Sequence, residues 1–202
     1  MSGDVSTSAY WENLYQTQQN GWDKGQAAPP IARMLREGFL KPAARIAVVG
    51  AGPGHEVVAA AKLGFVVTAM DFAPTSLAQL RAAGRASGAG FELLDADLFT
   101  LPSTRAGQFD AVLEHTCFCA IEIARRAEYV EAVHALLVPK GIFFGLFYAH
   151  GKEGGPPFTT TEAEVRTLFS KRFTLDRLVR APDSFEVRAG HELEAKFTAS
   201  QK

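Results

Sequence analysis

Arg45-Ile46-Ala47-Val48-Val49-Gly50-Ala51-Gly52-Pro53-Gly54-His55-Glu56 is the stretch that decides the fold. Its apolar run, Ile46 to Val49, has the length and β-branched content of a fully buried strand. The run breaks into a glycine-rich turn, and the pattern after it predicts a helix from Gly54 to Leu63. A second apolar run, Phe65 to Met70, ends on an acid, Asp71. Strand, glycine turn, helix, strand and acid make the opening unit of a nucleotide-binding α/β domain. Glycines let the backbone approach a ligand closely. The helix N-terminus offers it unpaired N–H groups, and a carboxylate at the tip of the second strand is placed for a ribose diol. The expected ligand contains adenosine.

Downstream, strand and helix patterns alternate. A helix is predicted from Ala73-Pro74 to Ala86, and a strand from Phe91 to Leu94 that ends at Asp95-Ala96-Asp97-Leu98. A loop with Pro102 and Gly107 leads to a strand from Phe109 to Leu113, ending at Glu114-His115. A helix from Ile123 to Leu137, a sharp turn at Val138 to Gly141 and a strand from Ile142 to Phe147 follow. After a glycine- and proline-rich loop, Gly151 to Pro157, come a helix from Thr161 to Ser170 and two strands, Phe173 to Val179 and Glu192 to Thr198. No helical pattern joins those last two, which permits an antiparallel pair.

Upstream, residues 1 to 8 have no pattern and are expected to be disordered. Trp11, Leu14 and Tyr15 stand at i, i+3, i+4 of a short helix. Trp22 sits in a turn, and Pro29-Pro30 opens a helix from Ile31 to Glu37 that Gly38 caps. Trp11, Tyr15 and Trp22 either cover one end of the sheet or close over a ligand.

The expectation is therefore an α/β, doubly wound, seven-stranded, mostly parallel sheet whose last strand is antiparallel. It forms one domain over residues 1–202, with an N-terminal helical lid (1–40) and an α/β core (41–202). Ligands of such sheets sit at the carboxyl ends of the strands. Gly50, Gly52, Gly54, Asp71, Asp97, Glu114, His115 and the loop after Phe147 all fall there.

Composition narrows the function. The 47% hydrophobic and 21% charged content is that of a soluble globular protein. A formal net charge of -1 argues against a broad basic face for nucleic acid. No apolar run approaches the ~20 residues of a membrane span. Met1 to Ser8 has no apolar core of the kind a signal peptide needs. Cys117 and Cys119, two apart, do not make a disulfide framework. A reducing, cytoplasmic setting and a monomer are expected.

The turn reads Gly-Ala-Gly-Pro-Gly-His, so its third glycine comes one residue earlier than the dinucleotide fingerprint requires. Asp71, an Asp97 placed for an adenine amino group, the Pro139-Lys140-Gly141 turn and the antiparallel ending all favour S-adenosylmethionine over a nicotinamide. Asp97 has a bland alternative, the capping of its own loop.

Several segments resemble the thiopurine methyltransferase family, above all its halide and thiol methyltransferase branch. They are Trp11 with Trp22-Asp23-Lys24-Gly25 to Pro29, Gly50 to Val58, Phe118-Cys119-Ala120-Ile121, Gly154-Gly155-Pro156-Pro157-Phe158 and Arg188-x-Gly190-x-Glu192. The resemblance runs from Trp11 to Lys196. It implies that Trp11, Tyr15 and Trp22 lie over the donor and that Gly50, Gly52 and Gly54 approach its amino-acid end. Asp71 would hold the ribose, Asp97 and Leu98 would frame the adenine, and Glu114 and His115 would pass close to the methionine part through backbone atoms; Phe72 is a further donor-binding candidate. Phe118, Phe147, Tyr148 and Phe158 would line the acceptor pocket. Tyr15 stands where relatives often carry tryptophan, and His115 where they often carry tyrosine.

The implied reaction is methyl transfer from S-adenosylmethionine to a small soft nucleophile: a thiol, sulfide or halide. A larger heteroaromatic thiol or an oxygen or nitrogen nucleophile is the first alternative. A non-catalytic adenosine-binding module is the second. Because the sulfonium already activates the methyl group, positioning and exclusion of water supply much of the rate. Aromatic faces suit the cation, at roughly 0.5–2 kcal/mol per good contact. No nucleophile–base pair or metal-ligand spacing is evident, and thiols ionise near neutrality without help. His115 is the one candidate for proton removal. Cys117 and Cys119 read as small residues beneath the pocket, His55 as a brace of the glycine turn, and Arg125-Arg126 as a solvated helix face. Arg188 either reaches an anionic substrate or pairs at the surface.

Overall fold

A computed structural model describes residues 4–201. Seven strands form a single sheet: β1 (Arg45–Val49), β2 (Val66–Asp71), β3 (Glu92–Asp95), β4 (Phe109–His115), β5 (Leu137–Tyr148), β6 (Phe173–Arg180) and β7 (Glu192–Ala199). Their order is β3-β2-β1-β4-β5-β7-β6. The first five pair in parallel, and β7 runs antiparallel between β5 and β6. The sheet is covered on both faces, so its central strands are near-continuous apolar runs. Ile46 to Val49 are all buried.

One face carries α2 (Pro29–Met34), α3 (His55–Lys62) and α4 (Pro74–Ser87). There Ile31, Met34, Val57, Ala60 and Leu80 bury against Val48, Val67 and Leu113. The other face carries α5 (Pro102–Arg105), α6 (Arg126–Leu136) and α7 (Glu162–Phe169). Its core is a ring cluster in which Phe169 stacks on Phe197 at 4.7 Å and Phe143 meets Phe169 at 4.9 Å. α1 (Ser8–Gln16) sits on α4 at the carboxyl end of the sheet.

Helix ends follow their local chemistry. Proline stands at the start of α2 and α4, where the missing N–H costs nothing. Gly88, in the left-handed region at φ 65°, ends α4. Thr161 accepts from Glu164 N at the start of α7.

Four expectations need correction. Residues 4–8 are ordered: Trp11 Nε1 donates to Val5 O at 2.8 Å and Ser8 begins α1; residues 1–3 lie outside the described chain. The sharp turn at Val138 to Gly141 is a bulge inside β5, because Leu137 pairs with Phe109 and Ile142 with Ala111 while Lys140 takes φ 61°. The loop after Leu98 contains α5, a helix too short to show a period. A 3-10 turn, Glu186–Arg188, interrupts the link between β6 and β7.

Candidate active site

The carboxyl ends of β1, β2 and β4 open into a cavity of about 590 Å3, within the range of small-molecule sites. Its floor is the glycine turn. Gly50 takes φ 57°, and a Cβ there would lie 2.8 Å from Cys117 Cβ, so only glycine lets the turn pass beneath the loop after β4. Asp71 braces the turn from the side. Its Oδ2 accepts from Gly52 N at 2.9 Å, and its Oδ1 accepts from Phe72 N at 2.8 Å and Ala73 N at 3.0 Å. An ionised carboxylate has about four acceptor positions, so one is left for a ligand hydroxyl.

Across the turn, Trp11, Tyr15 and Trp22 form a wall. Trp22 meets Trp11 at 5.7 Å and Tyr15 at 5.3 Å, both edge to face. The Tyr15 hydroxyl reaches over Gly52. Burial and the nearby Asp71 charge push its pKa up to about 12, so it stays a neutral donor. Phe72, Asp97 and Leu98 close the far end. Asp97 Oδ1 also caps its own turn by accepting from Phe99 N at 3.0 Å.

The opposite half of the cavity is lined by Tyr148, Pro156, Pro157, Cys119 and Arg188. Arg188 is 5% exposed, so it is not a surface residue. Its Nη1 donates to Glu192 Oε1 at 3.1 Å and its Nη2 to Trp22 O at 3.3 Å. The guanidinium also lies 5.2 Å from the Tyr148 ring.

His115 lines the same region with both ring nitrogens engaged. Nδ1 is 2.9 Å from Glu56 Oε1, while Nε2 is 2.9 Å from Arg188 Nη1 and 3.7 Å from Glu192 Oε1. Burial opposes the charged ring, but Glu192 and Glu56 outweigh it and raise the pKa to about 9. The Arg188 contact is a hydrogen bond only for the neutral ring, which would accept at Nε2. Two carboxylates against one guanidinium pull toward the imidazolium, while the 2.9 Å contact with Arg188 Nη1 is that of a neutral Nε2 acceptor. Burial alone would raise Glu56, yet its bond to His115 brings it down to about 2. A ring with both nitrogens held has no free site to serve as a general base.

Five expected site residues do not line this cavity. Gly54 faces Leu80, and a Cβ there would lie 2.5 Å from Leu80 Cδ2. Glu114 lies beneath the floor. Its carboxylate accepts from Phe118 N at 2.9 Å and Tyr129 Oη at 2.6 Å, and burial raises its pKa to about 7. Phe118 and Phe147 are core residues, packed on each other at 5.0 Å. Phe158 packs against Gly155 of its own loop, and its N–H donates to Cys119 O at 2.7 Å. In an alternating strand, consecutive side chains face opposite ways, which sends Phe147 to the core and Tyr148 to the cavity.

Other assignments follow from position. His55 Nε2 lies 2.8 Å from Asp23 Oδ1 and ties the tryptophan segment to the turn. Arg126 is 1% exposed rather than solvated: it pairs with Glu164 and donates to Phe158 O and Thr159 O, bracing the acceptor loop. Burial pushes both thiols up, Cys119 to about 12, so they are neutral. Tyr10, Leu14, Phe99 and Arg125 also line the cavity and had no distinguishing sequence signal beyond the helical spacing of Leu14. Arg125 lies 3.6 Å over the Phe99 ring.

The strand order with an antiparallel β7, together with a glycine floor, an acid after β2 and an aromatic cover, defines a class I S-adenosylmethionine-dependent methyltransferase. Comparison with known proteins makes the assignment particular. Residues 6–201 match the family model described as Thiopurine S-methyltransferase (TPMT), and the chain belongs to that family. It is 32% identical to Thiocyanate methyltransferase 1 of Arabidopsis thaliana over 151 residues, 73% of this chain and 65% of that protein. It is 30% identical to Probable thiol methyltransferase 2 of the same plant over 166 residues, 81% of this chain and 72% of that protein. A solved Burkholderia thailandensis 1,6-didemethyltoxoflavin-N1-methyltransferase, with S-adenosylhomocysteine bound, shares the fold. It has TM-score 0.77 at 21% identity, with 96% of this chain and 87% of that chain covered.

Proposed function

We propose that this enzyme methylates a small, soft, anionic nucleophile — a thiolate, sulfide, halide or similar ion — with S-adenosylmethionine as donor. The observation that carries the reading is the division of the cavity. The glycine turn and the Trp11, Tyr15 and Trp22 rings line one part; Tyr148, Pro156 and Pro157 line another, where the buried Arg188 also stands. The relatives named for thiocyanate and thiol methylation support the same class.

The donor supplies an electrophilic methyl group on a sulfonium. The chain's residues do the rest. Gly50 and Gly52 let the donor's amino-acid end approach the backbone, and Asp71 directs its remaining acceptor position at the ribose. Asp97 and Leu98 frame the adenine, with Phe72 beside the ribose. Trp11, Tyr15 and Trp22, carried by α1 and the turn after it, face the cation and exclude water. Arg188 draws an anion to the open end, and Tyr148 and the two prolines limit its size. A nucleophile that arrives ionised needs no base, which fits a His115 whose ring nitrogens are both occupied.

Among the described residues no helix is long and apolar enough to cross a membrane. We take the enzyme to act as a monomer in the cytoplasm, where its two free thiols persist.

The test is product analysis with methyl-labelled donor against iodide, bisulfide, thiophenol and a thiopurine. Labelled methyl iodide or methanethiol is the expected product. Turnover of the thiopurine alone would move the acceptor to the larger class. Donor binding without turnover of any acceptor would make the chain a binding module.

A further inference from the structure

No residue of α1 is fully buried in the core. Yet α1 carries Trp11, Leu14 and Tyr15 into the cavity wall. What ties it down is Glu12. Its Oε2 accepts from Thr75 N and its Oε1 from Thr75 Oγ1, both at 2.7 Å. Thr75 is in the first turn of α4, whose own N-cap, Ala73, supplies no side-chain cap. A carboxylate there satisfies an orphan N–H and meets the positive end of the helix dipole. Ser8 Oγ adds a bond to Phe72 O at 2.6 Å. Two ties from the turn after α1, Asp23 to His55 and Trp22 O to Arg188, are made by residues that line the cavity. Glu12 and Thr75 do not line it.

We infer that Glu12 is a positioning residue for the donor: by capping α4 from α1 it holds the aromatic wall closed, and so sets how fast the S-adenosylhomocysteine product leaves. The inference rests on the donor assignment above. Neither residue reaches the cavity, so Glu12 acts on ligand release through the position of α1.

The experiment uses the full chain with S-adenosylhomocysteine, its release followed by stopped-flow fluorescence of Trp11 and Trp22. Thermal midpoints of the ligand-free proteins are measured alongside. Glu12→Ala removes both acceptors, and release should quicken about tenfold. Thr75→Val deletes the hydroxyl but keeps the N–H, and should give about threefold. The double variant should release no faster than Glu12→Ala. Ligand-free midpoints should fall by no more than about 4 °C, the loss of one helix cap. Release within twofold of wild type in both single variants would overturn the role, as would acceleration only in step with a fall in midpoint. If the wild type binds no S-adenosylhomocysteine, the donor assignment fails as well; binding with unchanged release defeats the positioning role alone.

Discussion

Gly54→Ala tests what the last glycine of the turn is for. Gly54 takes φ 89°, and an added Cβ would lie 2.5 Å from Leu80 Cδ2. Two penalties follow. A residue with a Cβ in the left-handed region costs about 1–2 kcal/mol. Leu80 is fully buried on α4, and pushing it off its rotamer in a filled core costs about 1–3 kcal/mol more. A central value of about 3 kcal/mol lowers the thermal midpoint of a chain this size by roughly 10 °C. Calorimetry of the ligand-free protein measures this directly. A double-mutant cycle then separates the two parts. Leu80→Ala is itself costly, but it clears the space, so adding Gly54→Ala to it should cost only the backbone part, about 1–2 kcal/mol. S-adenosylhomocysteine affinity, taken well below the midpoint, should stay within about fivefold of wild type, a change of about 1 kcal/mol. A stable Gly54→Ala variant with tenfold or weaker binding would refute the reasoning and return Gly54 to the ligand.

Three further outcomes are expected. Asp71→Asn leaves an amide facing the Gly52 N–H, which should cost about 1–3 kcal/mol of stability and lower S-adenosylhomocysteine affinity about tenfold or more in calorimetry; unchanged values for both would remove Asp71 from the turn and the ribose. The His115–Glu56 pair sets a pH dependence. The folded His115 pKa of about 9 lies above its ordinary 6.5, so its stabilisation is complete below the ordinary value and is lost as pH rises through about 9. Denaturant midpoints should therefore decline between those limits, and His115→Phe should flatten that limb; an identical decline in the variant would show that another group titrates. Cys119→Ala should retain methyl transfer within about threefold, because a thiol pushed up to about 12 is no nucleophile at neutral pH. A loss of a hundredfold would place Cys119 in the chemistry.

The periodic signals of the sequence proved strong for strands and weak for small irregular elements. β1 and β2 are uniform apolar runs, and such runs mean burial on both faces wherever they occur. Caps and turns were legible for the same local reason: proline opens α4 and Gly88 ends it. α5 spans four residues and the 3-10 turns three, less than the length a helical period needs. The bulge in β5 was hidden because its turn residues resemble a strand boundary until the pairing of Leu137 with Phe109 is seen.

By itself the sequence determined the strand–turn–helix unit, the antiparallel ending, the donor class, and the aromatic and acidic residues that line the cavity. These depend on local backbone demands and on residue types at fixed spacing. Only the tertiary structure decided which side chains face the cavity. Three phenylalanines expected there face the core or pack against their own loop, because the pleat and packing direct them, not their type. Only the fold, too, brought Arg188 beside His115, 73 positions away, and set Glu12 on the end of α4. Contacts between distant segments are chosen by how elements pack, and no local pattern encodes them.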